Sequence, residues 1–159
     1  MAGQHTRDGD RVFSQCARSF SAPRRPFPGH DRLHAPGCRS TKLGVSAMDG
    51  EHKELVRRMN ELYELVRTNG DRQSIGRSLS ALGTFTADHF AHEEAHMTAI
   101  GFDRLATHKM IHKQLLGQFA EHVEAHRKGE ALGDPFFRFL KHWLAAHICG
   151  VDRRYAKVS

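Results

Sequence analysis

The sequence predicts an all-α fold: an antiparallel up-down-up-down four-helix bundle with a disordered N-terminal extension. Three observations lead there. Four stretches repeat apolar residues at spacings of three and four, the pattern of a helix with one buried face. Short segments containing Gly, Asn, Asp or Pro separate them, which sets consecutive helices side by side and antiparallel. Nowhere does the chain alternate apolar and polar residues convincingly enough for a strand, and it contains no internal repeat.

Residues 1–42 form the extension. Four of the five prolines fall there (Pro23, Pro26, Pro28, Pro36), and neither helical nor alternating periodicity is present. Residues 1–43 carry eight basic side chains (Arg7, Arg11, Arg18, Arg24, Arg25, Arg32, Arg39, Lys42) against three acids (Asp8, Asp10, Asp31), leaving +1 of the formal charge of +6 for residues 44–159. The basic character is therefore a property of the extension and gives the folded part no nucleic-acid-binding signature. Arg, Ser and Pro content of this kind reads as disorder, either as an unstructured tail or as the product of a start codon placed too far upstream. An organelle-targeting segment is a weaker reading, because Asp8, Asp10 and the prolines spoil the amphipathic helix it would need. A tether to anionic surfaces is the third.

Residues 43–159 hold the bundle. The first helix is expected to start near Asp49, with Glu51 in its first turn, to bury His52, Leu55, Val56, Met59, Leu62 or Tyr63, and Val66, and to stop at Asn69-Gly70. The second runs from about Gln73 to Thr98. Its stripe is Ile75, Leu79, Leu82, Thr86, His89, Glu93, His96 and Ile100; Gly76 and Gly83 weaken the helix without breaking it. After a Gly101-Phe102-Asp103 turn, the third helix faces Leu105, His108, His112, Leu115, Phe119 and His122 or Val123 inward and ends at Lys128-Gly129. Asp134-Pro135, a cap followed by proline at the first helical position, starts the fourth. Phe136 or Phe137, Leu140, Leu144, His147 and Val151 are its inward residues.

Several classes are excluded. Three cysteines (Cys16, Cys38, Cys149) without CxxC spacing argue against a disulfide scaffold and for a reducing cytoplasm. No apolar run is long enough to span a membrane, and no signal-peptide core opens the chain.

What remains unusual is histidine: thirteen in the chain, ten of them after residue 44. Five imidazoles (His52, His89, His108, His112, His147) and two carboxylates (Glu93, Asp152) from four helices point into one apolar seam. Burying an unpaired carboxylate costs several kcal/mol, so such a group neutralises, pairs or binds a metal. A single inward His is usually a satisfied core residue, but a set of seven without a cation would be a half-satisfied network, worse than an apolar core. Imidazole and carboxylate without thiolate suit zinc, iron, copper or nickel. Seven ligands are too many for one tetrahedral zinc. Two carboxylate-bridged metals fit the count, with iron or manganese the usual occupants in bundles; the ferritin-like pattern is set aside because Glu93-x-x-His96 has no second copy. The excess of imidazole over carboxylate favours ferrous iron that binds a further ligand.

Four segments in order, Asp49-x-x-His52-Lys53-x-Leu55, His89-Phe90-x-x-Glu93-Glu94-x-x-Met97, His108-Lys109-x-x-His112 and Trp143-Leu144-x-x-His147-Ile148-x-x-x-Asp152, resemble the hemerythrin family in its bacterial single-domain form. The resemblance spans residues 43–157, while residues 1–42 match nothing in that family. It implies a non-haem di-iron centre with an oxo or hydroxo bridge. His108, His112 and His147 would bind one iron, His52 and His89 the other, and Glu93 and Asp152 would bridge them. Phe90, Leu144 and Ile148 match positions lining an apolar pocket over the open coordination site. The implied activity is reversible dioxygen binding for oxygen carriage, storage or delivery, and not catalysis; no nucleophile or substrate cleft is legible. A sensor of oxygen, nitric oxide or redox state acting on an unidentified protein partner is the alternative, a di-iron oxidase a more distant one, and a zinc-binding or metal-free structural bundle the last.

His147 and Asp152 lie five apart, about 140° around a straight α-helix, so both reach one centre only if the helix widens or ends near Gly150. The other histidines read more plainly: His122 and His126 as bundle-end or surface residues, His92 and His142 as facing outward or tuning nearby charge. His96 is inward and a candidate for a hydrogen bond near the ligands. Glu94 either orients a ligand histidine or is solvated.

Overall fold

A computed structural model describes residues 43–156, all within one unit, Arg32–Ser159. The extension inferred for residues 1–42 lies outside the described residues. Within them the chain is helical, with no strand. Helix α1 spans Ser46–Arg67, α2 Arg72–Ala99, α3 Leu105–Lys128 and α4 Asp134–Ala146. A π-helical turn, His147–Asp152, extends α4 and passes into α5, Arg153–Ala156. The four long helices form the antiparallel bundle that the periodicity predicts. None of the described helices is long and apolar enough to cross a membrane.

The helix boundaries follow local chemistry. Helix α1 begins three residues before Asp49, after Val45, which supplies no side-chain cap. Asp49 instead sits in the first turn and accepts hydrogen bonds from the backbone N–H groups of Leu43 and Gly44, tying the incoming chain to the helix. At the other end Asn69 adopts a left-handed φ of 55°, and the Gly70 N–H reaches back to the Leu65 carbonyl at 2.8 Å. Asp71 caps α2 by accepting from the Ser74 N–H at 2.9 Å. Gly129, at φ 116°, closes α3 as a left-handed cap.

The core runs the length of the bundle: Leu55, Met59 and Leu62 from α1, Leu79, Leu82 and Phe90 from α2, Leu115 and Phe119 from α3, and Phe136, Phe137, Leu140 and Trp143 from α4. Gly83 marks a close approach of α2 to α3, because a Cβ there would lie 2.8 Å from Phe119 Cε1. In α2 the buried stripe ends differently from the sequence expectation. Met97 takes the fully buried position beyond Glu93, while His96 and Ile100 are only half-buried. Met97 joins Phe102 and Tyr155 in a second cluster, with Leu43, Val45, Ile100, Leu105 and Ala156 packed around it. That cluster closes the end of the bundle next to the polar seam.

Candidate metal centre

All seven residues of the inward set converge. His52, His89, Glu93, His108, His112, His147 and Asp152 are each 97% or more buried. Four of them, His89 with Glu93 and His108 with His112, are i,i+4 pairs that a regular α-helix stacks on one face. The third spacing, His147 to Asp152, is resolved by the π-helical turn: its bonds run from residue i to i+5, so residues five apart come onto the same side.

The donor atoms fall into two groups around the carboxylates. His108, His112 and His147 gather with Glu93 on one side, and His52 and His89 with Glu93 on the other, each group having its nitrogen and oxygen atoms within 4.8 Å of one another. Glu93 Oε2 lies 3.3 Å from the Nε2 atoms of both His112 and His147 and 3.7 Å from that of His89. Glu93 Oε1 is the oxygen nearer His52, at 3.8 Å. Asp152 divides its oxygens in the same manner, Oδ1 at 3.4 Å from His108 and 3.2 Å from His147, and Oδ2 at 3.4 Å from His52.

The orientation of the imidazoles is set from outside. His89 Nδ1–H donates to Glu51 Oε2 at 2.7 Å, and His112 Nδ1–H donates to Glu94 Oε1 at 2.8 Å. Each bond holds the other nitrogen, Nε2, unprotonated and turned inward. Glu51 also accepts from exposed His92 at 2.6 Å, and Lys109 lies 3.7 Å from Glu94. Phe90 stacks face to face on His112, with centroids 3.7 Å apart and planes within 2°, and its ring is 5.1 Å from that of His147. Tyr155, fully buried, donates its hydroxyl to Glu93 Oε1 at 2.6 Å.

The residues fit a pair of cations. His89 Nε2, His108 Nε2 and both Asp152 oxygens are buried with no hydrogen-bond partner, and the Nε2 atoms of His112 and His147 face each other at 3.3 Å. Converging lone pairs of this kind are compensated by metal ions rather than by one another. Burial and mutual charge act strongly on the groups of the seam. Burial works to raise Glu93, yet His108, His112, His147 and His52 hold it well below the usual carboxylate range. Burial and the charge of Glu93 push Asp152 well above that range. Burial works against a charge on His52, but Asp152 and Glu93 beside it bring it up to about 9. Burial lowers His147 to about 3 and also lowers His89 and His108, leaving neutral imidazoles that can ligate.

A family model, the hemerythrin HHE cation binding domain, matches residues 43–158. The chain belongs to the hemerythrin family. A bacteriohemerythrin of Methylococcus capsulatus is 35% identical over 112 residues, 70% of this chain and 85% of that protein. One from Stenotrophomonas maltophilia is 30% identical over 114 residues, covering 72% and 74% of the two chains. A crystal structure of wild-type hemerythrin superposes with a TM-score of 0.68 at 32% identity, covering 72% of this chain and 88% of that one.

Phe90 and Ile148 are buried in the same apolar cluster, beside His112 and His147. The side chain of Leu144 lies outside the described residues. His126 is buried at the far end of the bundle, its Nδ1 facing the Glu130 carbonyl at 3.3 Å, and is not a surface residue; His122 packs on Phe136 and Phe139. His96 sits against the Tyr155 ring, and Glu94 is the orienting residue of its two readings. Sequence reasoning took Glu51 only as a first-turn acid and passed over Tyr155. The available signals were positional: Glu51 immediately precedes His52, and Tyr155 falls three residues after Asp152, one turn on.

Removing either orienting carboxylate frees an imidazole to rotate. Glu51→Ala and Glu94→Ala are each expected to weaken metal retention about 10–100-fold, measured as iron lost to a competing chelator. Wild-type retention in both variants would contradict the assigned role.

Proposed function

We propose that this hemerythrin-family chain is a cytoplasmic oxygen-binding protein: it holds two non-haem iron ions bridged by an oxo or hydroxo group and binds dioxygen reversibly, for carriage, storage or delivery. The observation that carries the reading is the division of the donor set, three imidazoles (His108, His112, His147) against two (His52, His89), with Glu93 and Asp152 between. A metal held by the two-histidine group would have fewer protein ligands and so room for one further ligand. Iron held by these residues would supply the electrons that dioxygen takes up and returns.

The protein's own work is to orient donors and keep the centre dry. Glu51 and Glu94 fix two of the imidazoles. Phe90 and Ile148, with Leu144 proposed beside them, make an apolar surround that keeps water and its protons from the bound gas, the condition for releasing it unreduced.

The test is optical. The reduced protein is expected to develop a visible absorption band in air and to lose it when oxygen is removed, over repeated cycles. Iron that oxidises on first exposure and stays oxidised would contradict reversible binding and point to a sensor with a protein partner, or to oxidase chemistry.

A further inference from the structure

We infer that Tyr155 is a positioning residue that holds the centre in its reduced, oxygen-ready state by withdrawing charge from one oxygen of Glu93; the inference rests on the di-iron reading above. Its phenol is fully buried and donates to Glu93 Oε1 at 2.6 Å, the short range of a bond to an ionised acceptor. The ring is held on several sides, by His96 at 5.7 Å, Phe102 at 6.4 Å and His108 at 6.0 Å between centroids, so the hydroxyl has little freedom to turn away.

The bond is placed unevenly on the carboxylate. Oε2 is the oxygen close to His112 and His147, whereas Oε1 lies on the side of His52. Tyr155 therefore draws electron density from the oxygen nearer His52, while Oε2 faces His112, His147 and, at 3.7 Å, His89. Hydrogen bonds to a metal's ligands, together with charge and solvent exposure, set reduction potentials. A donor on an anionic ligand lowers the negative charge felt by the iron and so favours the less positive, ferrous state. The polypeptide path makes this dependence specific, because the π-helical turn that delivers Asp152 also carries Tyr155 back over Glu93.

The experiment uses opposite perturbations of one hydrogen bond. The chain has two tyrosines, Tyr63 and Tyr155, so full replacement of tyrosine by 3,5-difluorotyrosine in a Tyr63→Phe background labels Tyr155 alone. The fluorinated phenol is a stronger donor; Tyr155→Phe removes the donor and keeps the ring. Iron per chain and the reduction potential of the centre are measured for both and for Tyr63→Phe alone. With two irons retained, Tyr155→Phe is expected to shift the reduced-to-oxidised ratio about tenfold towards oxidised, roughly 59 mV for one electron, and difluorotyrosine to shift it the other way. A merely structural role would move both in one direction. Two irons in every protein with equal potentials would overturn the role of Tyr155 and leave the di-iron reading standing; a wild-type chain without iron would overturn both.

Discussion

Glu93→Ala is expected to leave the chain with at most one metal ion, whereas His126→Ala keeps two. Glu93 and Asp152 both set oxygens toward the two groups of imidazoles, and Glu93 is the residue that both candidate metal groups share. Its removal takes a shared anion from between the two groups and deprives the Tyr155 hydroxyl of the carboxylate it donates to. Loss of an outer-sphere partner already costs about 10–100-fold in affinity, and loss of a shared ligand costs more. His126, by contrast, is buried at the opposite end of α3, bonded to its own turn, so its removal affects packing and not the seam. Metal analysis of the two purified variants separates them. Equal iron content would sink the ligand assignment, and the comparison controls for a general effect of deleting a buried polar side chain.

The second large effect concerns register. An alanine inserted between Gly150 and Val151 sets His147 and the aspartate six residues apart, a spacing that neither an α turn nor a π turn brings onto one face. The carboxylate and the tyrosine beyond it then leave the seam together, and the second metal is expected to be lost. Deleting Gly150 has the opposite meaning. It leaves the pair four apart, a spacing that an ordinary α-helix places on one face, so both metals are expected to remain. Gly150 suits the deletion because nothing lies within 4 Å of where its Cβ would be. Iron per chain is again the readout: two irons in the insertion variant would show that Asp152 is dispensable.

How much of this was legible beforehand depended on the kind of signal each residue leaves. His52, His89, Glu93, His108, His112 and His147 announce themselves because they occupy slots that a 3.6-residue period reserves for apolar side chains. Asp152 breaks that period, and only the demand that it share a face with His147 pointed to a widened turn, which the π-helix supplies. Glu51 and Tyr155 were not legible in the same way. Glu51 stands one residue before His52, off the buried stripe, and finds His89 only because α2 packs beside α1. Tyr155 lies past the last regular turn of α4, where periodicity has nothing to extrapolate from. Pairings across helices depend on tertiary packing, whereas the ligands depend on one helix at a time. The helix ends show the same divide: Asp71 caps α2 through a local bond, but Asp49, which looks like a cap, serves the backbone of the chain entering the bundle.

The most direct test of the central claim is the metal content of the chain purified from cells supplied with iron. The seven-residue centre predicts two irons per chain, retained through purification and removed by a strong chelator. A chain that carries no iron, or one zinc in its place, would contradict it.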